Sequence, residues 1–231
     1  MNRPSLHRPH TTVVFAMSAD GKIADENSQA SFGSEADYAH LERQVALADA
    51  ILVGAGTLRA GRTAMRVQNL DLIQSRLEQG KPEQPPQIIC TRSGQIDPEL
   101  PFFSQAIPRW LLTTEAGAQS WQSPQFEQIL VHETSEQSVD WRTAFAQLKE
   151  LDIEKLAVLG GGEVVAALLA EELIDEFYLT VCPLFLGGAG RPTPVGGPGF
   201  ALADAPRLTL LDMQQVDQEL FLHYAILSSP D

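Results

Sequence analysis

Positive charge is scarce in this chain of 231 residues. It has 16 Lys and Arg against 30 Asp and Glu, so its formal charge at pH 7 is −14. Nucleic acids and anionic membrane surfaces bind proteins that present a cationic face, so this balance argues against both as partners. A small anionic ligand is not excluded, because a few arginine side chains that lie close together bind one.

Cysteine is equally scarce. The chain has two, Cys90 and Cys182, and each lies in an apolar run, so we interpret both as buried strand thiols. They form no Cys-x-x-Cys pair, and the His-x-Glu and Pro-Cys-x-x-Cys pattern of the zinc deaminases is missing. Nothing in the sequence predicts a metal site.

Long hydrophobic runs are missing too. No apolar run approaches the roughly 20 residues that cross a bilayer, and the first ten residues lack the apolar stretch of a signal peptide. We expect a polar tail over residues 1–10, a single domain over 11–231 and a cytoplasmic location. Hydrophobic residues make up 44% of the chain, which is enough for the core of such a domain.

What the chain does contain is a glycine-rich unit at 156–190. Residues 156–159 predict a buried strand, three glycines follow at 160–162, and 163–173 has helical composition before a second strand at 174–186. A helix that begins just after glycines presents unpaired N–H groups, which attract anions such as a pyrophosphate. A tight turn without a ligand explains this stretch alone equally well.

The rest of the chain alternates predicted strands and helices. We predict strands at 12–17, 50–53, 87–91, 110–113 and 128–131, and helices at 34–48, 69–79, 115–121 and 139–151. Ser34 with Asp37 forms a helix-start signal of the Ser-x-x-Asp type. Strands at 207–216 and 219–227 predict a hairpin. This order predicts an α/β domain of three layers, with a mixed, mostly parallel sheet that ends in an antiparallel hairpin.

Several residues near strand ends are candidates for a ligand site. A second glycine-bearing strand end at 54–59 suggests that both ends share a ligand near the carboxyl ends of the strands. Arg59, Arg62 and Arg66 indicate either a solvated basic loop or an anion site. Arg92 and Ser93 follow the strand at 87–91, where a cation and a hydroxyl suit a 2′-phosphate, and a plain turn is the alternative.

Four motifs in order give the chain a family resemblance. They are Ala16-Met-Ser-Ala-Asp-Gly-Lys-Ile-Ala24, Ala48-Asp-Ala-Ile-Leu-Val-Gly-Ala-Gly-Thr-Leu-Arg59, Gly160-Gly-Gly162, and Leu173–Leu179 with Pro183–Gly188. With them, the chain resembles the reductase domain of riboflavin biosynthesis over about residues 11–227. That domain is the C-terminal half of a bifunctional deaminase-reductase and also occurs alone. The missing zinc signature agrees with a stand-alone reductase.

The resemblance implies a dihydrofolate-reductase-like fold, NADPH as the hydride donor and a homodimer. It also implies a phosphorylated substrate, 5-amino-6-(5-phosphoribosylamino)uracil or the equivalent 2,5-diamino compound, whose ribosyl group is reduced to ribityl. Carried over by position, the cofactor-binding residues are Ala16, Thr57, Arg92, Ser93, Gly160, Gly161, Gly162, Glu163 and Val164. The residues expected on the substrate side are Lys22, Ser31, Arg62, Arg66 and Leu159. No catalytic acid or base is assigned, because the cofactor carries the chemistry.

Two departures from the family pattern lie on the expected substrate side. The family often has Glu just before the glycine run, where this chain has Leu159. It often has Asp-Asp-Pro where this chain has Gly61-Arg62-Thr63. Two alternatives therefore stay open, an NADPH-dependent reductase of another pterin-like or carbonyl substrate and a nucleotide-binding protein without turnover.

Overall fold

The structure, a computed structural model, describes residues 7–25 and 32–227. These residues form nine strands in one sheet. The strands, β1 to β9 in chain order, are His10–Ser18, Ala50–Gly54, Gln87–Thr91, Arg109–Thr113, Gln128–Val131, Lys155–Val158, Glu176–Cys182, Arg207–Val216 and Glu219–Leu227. Every strand predicted from the sequence is present, and the bounds of four of them are those that the sequence predicts.

Six α-helices accompany the sheet in the part of the chain that the structure describes. They are α1 (Glu35–Leu47), α2 (Ala55–Gly61), α3 (Leu70–Glu78), α4 (Glu115–Ser120), α5 (Trp141–Glu150) and α6 (Gly162–Ala170), and Pro101–Ser104 adds one 3₁₀ turn. Four helices begin at a side chain that accepts hydrogen bonds from the first free N–H groups. These N-cap residues are Ser34, Asn69, Thr114 and Asp140. The helix start predicted at Ser34 is therefore confirmed.

Helix α2 is absent from the sequence-based prediction, which has a strand end followed by a loop. Gly56 and Gly61 explain the error, because glycine is a poor helix former. The buried side chains of Ala55 and Leu58 pack into the core, and this burial outweighs the low propensity. Arg59 therefore lies on a helix, and its assignment to a loop is wrong.

The strands run in the order β5-β4-β3-β2-β6-β1-β7-β9-β8. All neighbours from β5 to β7 are parallel, whereas β9 pairs antiparallel with β7 and with β8. The predicted mixed sheet with its C-terminal hairpin is confirmed. Because β1, β2, β3 and β6 are parallel, their carboxyl ends meet at one edge of the sheet, and the site lies there.

Alternate residues of the central strands belong to two separate cores. Ile51 packs with buried residues of α1 and α2, whereas its neighbour Leu52 packs with buried residues of α5 and α6. Ile89 and Ile88 on β3 divide in the same way. Helices therefore cover both faces of the sheet, and the predicted three layers are confirmed.

The start of the first strand is tied to its neighbour β7. Within 1–10, which we expect to be a polar tail, His10 opens β1, and Arg8 Nη1 forms an ion pair of 2.7 Å with Asp175 Oδ2.

Both cysteines are buried as predicted, and burial raises the pKa of Cys90 to about 12. Over residues 7–25 and 32–227, no helix is long and apolar enough to cross a membrane. The same residues hold no group of three or more His, Cys, Asp or Glu side chains that could bind a metal.

Candidate active site

The two predicted glycine-bearing strand ends are in direct contact. The N–H of Gly54, at the end of β2, donates to the carbonyl oxygen of Gly160, just after β6, over 2.8 Å. A Cβ on Gly54 would lie 3.0 Å from a methyl carbon of Val164 and 3.3 Å from the amide nitrogen of Gly161. The close approach of the two backbones therefore needs glycine at this position.

The glycine run itself is closely surrounded. Gly160 has φ +120°, which disfavours any side chain, and the peptide bond that joins it to Gly161 is cis. A Cβ on Gly161 would meet Thr57 Oγ1 at 3.0 Å, and one on Gly162 would lie only 2.3 Å from the backbone oxygen of Thr193. Helix α6 starts here, and no side chain caps its first N–H groups. Backbone N–H groups without a side-chain partner therefore lie at the carboxyl end of β6.

A cavity of about 290 Å³ opens beside these glycines, and we call it the glycine cleft. Its walls come from the end of β1 and the turn after it, from α1, from α2 and from the segment between β6 and α6. Its volume is at the lower end of the range of small-molecule sites, about 300–1,000 Å³. Five residues predicted from the sequence line it, namely Ala16, Thr57, Leu159, Gly161 and Gly162.

Other residues that line the cleft do not appear among the predicted site residues. They include Phe15, Ile23, Asp37, Leu41 and Pro192. The apolar members resemble ordinary core positions, so no local signal distinguishes them. Asp37 had a signal, the Ser-x-x-Asp pattern, but that pattern indicates a helix cap rather than a ligand site. Burial, the largest effect, raises the pKa of the Asp37 carboxyl above its ordinary value.

Two of the motifs that carry the family resemblance touch one another. Asp20, in the turn after β1, accepts hydrogen bonds from the N–H groups of Leu186 (3.0 Å) and Gly187 (2.6 Å). The hydroxyl of Ser18 donates to the same carboxylate over 2.6 Å. This hydroxyl and these backbone donors lower the pKa of Asp20 to about 2. The Asp-Gly turn therefore holds the segment after β7 against the end of β1.

The remaining predicted cofactor residues lie outside the lining of the cleft. Arg92 and Ser93 are exposed at the carboxyl end of β3, the strand that pairs with β2. Val164 is half-buried on α6 against the core. Glu163 is exposed, and its carboxylate accepts a hydrogen bond of 2.9 Å from the N–H of Gly197. In this arrangement Glu163 contacts the loop that follows β7.

The structure does not gather the predicted substrate-side cations into the cleft. Arg62 is exposed just after α2, with φ +61°, and Arg66 is half-buried further along the chain. Lys22 is half-buried in the turn after β1, and its N–H donates to Ser18 Oγ over 2.9 Å. Leu159 does line the cleft. Ser31, the remaining predicted residue, lies outside the described residues.

Comparison with known sequences identifies related proteins. A model of the RibD C-terminal domain matches residues 9–222. The 2,5-diamino-6-ribosylamino-4(3H)-pyrimidinone 5′-phosphate reductase of Archaeoglobus fulgidus is 28% identical over 195 residues, which cover 84% of this chain and 89% of that protein.

Solved structures share the fold. A pyrimidine reductase-like protein from Corynebacterium diphtheriae has a TM-score of 0.78 at 20% identity, over 96% of this chain and 93% of that one. Dihydrofolate reductase from Enterococcus faecalis, solved with NADP(H), has a TM-score of 0.53 at 12% identity, over 95% of this chain and 97% of that one. The predicted dihydrofolate-reductase-like fold is confirmed.

The fold and the cleft define an α/β oxidoreductase of the dihydrofolate-reductase-like class. Within that class, the chain belongs to the RibD C-terminal domain family, because the family model matches nearly its whole length. It is a reductase of riboflavin biosynthesis, as the four motifs predict.

Proposed function

We propose that the protein uses NADPH to reduce the ribosyl group of 2,5-diamino-6-ribosylamino-4(3H)-pyrimidinone 5′-phosphate, or of the corresponding 5-amino-uracil, to a ribityl group. The observation that carries this proposal is the glycine cleft, where the backbone of Gly161 and Gly162 meets apolar side chains. The name of the Archaeoglobus fulgidus relative supports the choice of substrate. We further propose a cytoplasmic location, because a charged phosphorylated intermediate does not cross membranes unaided.

The end of β6 fits a dinucleotide. Pyrophosphate oxygens are suitable acceptors for the uncapped N–H groups that open α6, and Gly161 leaves free the space that a Cβ would occupy. Ala16, Thr57, Gly161 and Gly162 would hold the cofactor, which when bound supplies a hydride. The apolar side chains of Phe15 and Leu41 would exclude water from the reacting atoms.

The preference for NADPH over NADH would come from the next strand end. Arg92 and Ser93 follow β3, which lies beside β2 and therefore beside the end that leads to Thr57. Both are exposed, so their side chains can reach a ligand. Arginine binds phosphate through charge-assisted hydrogen bonds, and a hydroxyl adds a further donor. These two residues would therefore contact the 2′-phosphate.

Cations beside the cleft would bind the phosphate of the substrate. Arg62 directly follows α2, a helix whose Thr57 and Ala60 line the cleft. A protein with a net charge of −14 repels an anionic substrate unless local cations offset its field. We propose that Lys22 and one of Arg62 and Arg66 fulfil this role.

The proposal is tested by NADPH oxidation with the phosphorylated substrate and with its dephosphorylated form. Contacts to the phosphate that are worth ~1.5–3 kcal/mol predict a KM for the phosphorylated form that is about 10–100-fold lower. Equal KM values would contradict the role of the cations. Complementation of a riboflavin auxotroph that lacks only this reductase provides the second measurement.

The same assay separates the alternatives. Turnover restricted to another pterin-like or carbonyl substrate would contradict the assigned substrate. The protein would still be a reductase. Tight NADPH binding without turnover of any substrate would indicate a nucleotide-binding protein.

We further propose that two copies of the chain associate through β8. This strand forms one edge of the sheet, and all ten of its residues are exposed. Among them, Leu208, Leu210, Leu211 and Met213 expose between 48% and 59% of their surface. A long apolar edge strand is a site of association unless something covers it, and a second copy would do so.

Sedimentation velocity tests the association. The wild-type protein should sediment as a dimer, and Met213→Asp should shift it to a monomer because a carboxylate is costly to bury in such an interface. Gln214→Glu adds the same charge one residue along the strand as a control. A wild-type monomer would contradict the proposal.

A further inference from the structure

Asp37 is the single ionisable side chain among the described residues that line the glycine cleft. It lies in the first turn of α1 and lines the same cleft as Gly161 and Gly162, the glycines that would bind the cofactor. Apolar side chains also line the cleft, among them Phe15, Ile23 and Leu41. A group that exchanges protons in this cleft, other than water or the ligands themselves, would therefore be this carboxyl.

Helix capping does not account for the position of Asp37. In a capping box, the third residue of the helix accepts a hydrogen bond from the N–H of the N-cap residue. Here the N–H of Ser34 donates instead to Glu219 Oε1 over 2.9 Å, and the Ser34 hydroxyl donates to Glu219 Oε2 over 2.5 Å. A carboxylate from β9 thus occupies the role that the sequence assigns to Asp37. The Asp37 carboxyl lies instead against Gly33 and the Thr180 hydroxyl, where it lines the cleft.

The surroundings of Asp37 favour its protonated form. Desolvation is the largest effect on its pKa and raises it, and the negative charge of Glu219 raises it further. The Thr180 hydroxyl on β7 acts in the opposite direction, because its hydrogen bond stabilises the charged form. The thiol of Cys182, at the end of β7, is also close, and burial together with the two carboxylates raises its pKa to about 12. Cys182 therefore stays neutral, and no cation is among the groups that shift Asp37.

We propose that Asp37 is the general acid of this reductase, giving its proton to the substrate as the ribosyl ring opens. The assignment rests on the proposed substrate. The proton moves to ring oxygen O4′ while the C1′–O4′ bond breaks and the lone pair of the exocyclic nitrogen forms a C1′=N bond. The cofactor, when bound, would supply the hydride that C1′ accepts, while the electron pair of the C=N bond returns to nitrogen. The substrate thus gains one hydride and one proton, and the Asp37 carboxylate recovers a proton from water.

The first test replaces the acid. Asp37→Asn keeps the size of the side chain and removes the proton, so kcat should fall about 100-fold or more, the range of general acid catalysis. The Kd of NADPH, measured by fluorescence, should change less than about twofold. Glu35→Gln removes a charge from the same helical turn but from an exposed side chain, and its kcat should match that of the wild type. Wild-type kcat in Asp37→Asn would overturn the proposal.

The second test needs no substrate. In the ligand-free protein, the carbon-13 resonance of the Asp37 carboxyl, assigned by its loss in Asp37→Asn, should titrate above the ordinary range of aspartate. Thr180→Val removes a hydrogen bond to the charged form, so it should move this titration to higher pH. The fall of kcat with rising pH should move in the same direction. Titration at or below the ordinary value would overturn the assignment.

These measurements test the proposed reaction and the role of Asp37 separately. A wild-type enzyme that fails to oxidise NADPH with this substrate contradicts the proposed function. A carboxyl titration at or below the ordinary value overturns the assignment of Asp37 without affecting the proposed function.

Discussion

The two walls of the glycine cleft are built on different principles. One wall, formed by Gly161 and Gly162, consists of backbone, and side chains are missing there because neighbouring atoms leave little space for them. The other wall, formed by the turn after β1 and by α1, consists of side chains, among them Ile23, Asp37 and Leu41. Backbone N–H groups serve a cofactor whose phosphates are always the same, whereas side chains can be exchanged to suit a substrate. We therefore expect substitutions on the first wall to affect folding and cofactor binding, and those on the second wall to affect turnover.

The largest effect on the glycine wall is expected at Gly162. A Cβ there would lie 2.3 Å from the backbone oxygen of Thr193, so one of the two backbones would have to shift. Gly162→Ala should therefore lower the free energy of unfolding by about 2–3 kcal/mol, as overpacking does. Urea denaturation measures this change. Gly61→Ala is the matched control, because no atom lies within 4 Å of a Cβ there and alanine favours a helix, so it should be neutral or stabilising.

A substitution at Gly161, unlike one at Gly162, should affect cofactor binding with little effect on folding. A Cβ at this position meets only the Thr57 hydroxyl, at 3.0 Å, so the fold has room to adjust. Gly161→Val should keep nearly the wild-type unfolding midpoint and weaken NADPH binding about 10–100-fold, since the side chain displaces the pyrophosphate from the backbone. Titration calorimetry measures the affinity. A folded variant that binds NADPH as the wild type does would show that the backbone at Gly161 does not cradle the phosphates.

The smallest of these effects is expected at Arg92, which lies beyond the cleft. Loss of one charge-assisted contact to a 2′-phosphate should weaken NADPH binding about tenfold and leave NADH binding nearly unchanged. Arg92→Ala is compared with Arg59→Ala, which removes another exposed cation from a position that we do not assign to the 2′-phosphate. Equal losses for both cofactors in Arg92→Ala would contradict the assignment.

Local patterns were sufficient for the strands and for their glycine-bearing ends. The strands Gln87–Thr91, Arg207–Val216 and Glu219–Leu227 have the predicted bounds, because apolar runs and turn residues mark strands within a few neighbours. The position of Gly54 and Gly160 at one edge follows from the same information, since parallel strands bring their carboxyl ends to one edge. Their direct contact depends on the pairing of β2 with β6, which the sequence did not predict. Helix α2 was not predictable in this way, because burial of Leu58 overrides the propensity of its glycines.

The sequence by itself determined the α/β class, the order of the nine strands along the chain, the family and the two glycine-bearing strand ends, all of which depend on short-range patterns and on glycine's lack of a side chain. Only the tertiary structure decided the wall formed by side chains. Ser34 and Glu219 are 185 residues apart, yet their hydrogen bonds are what release Asp37 from the cap that its local pattern predicts. A side chain's role in a cavity depends on which distant groups satisfy its neighbours, and that is settled only when the chain has folded.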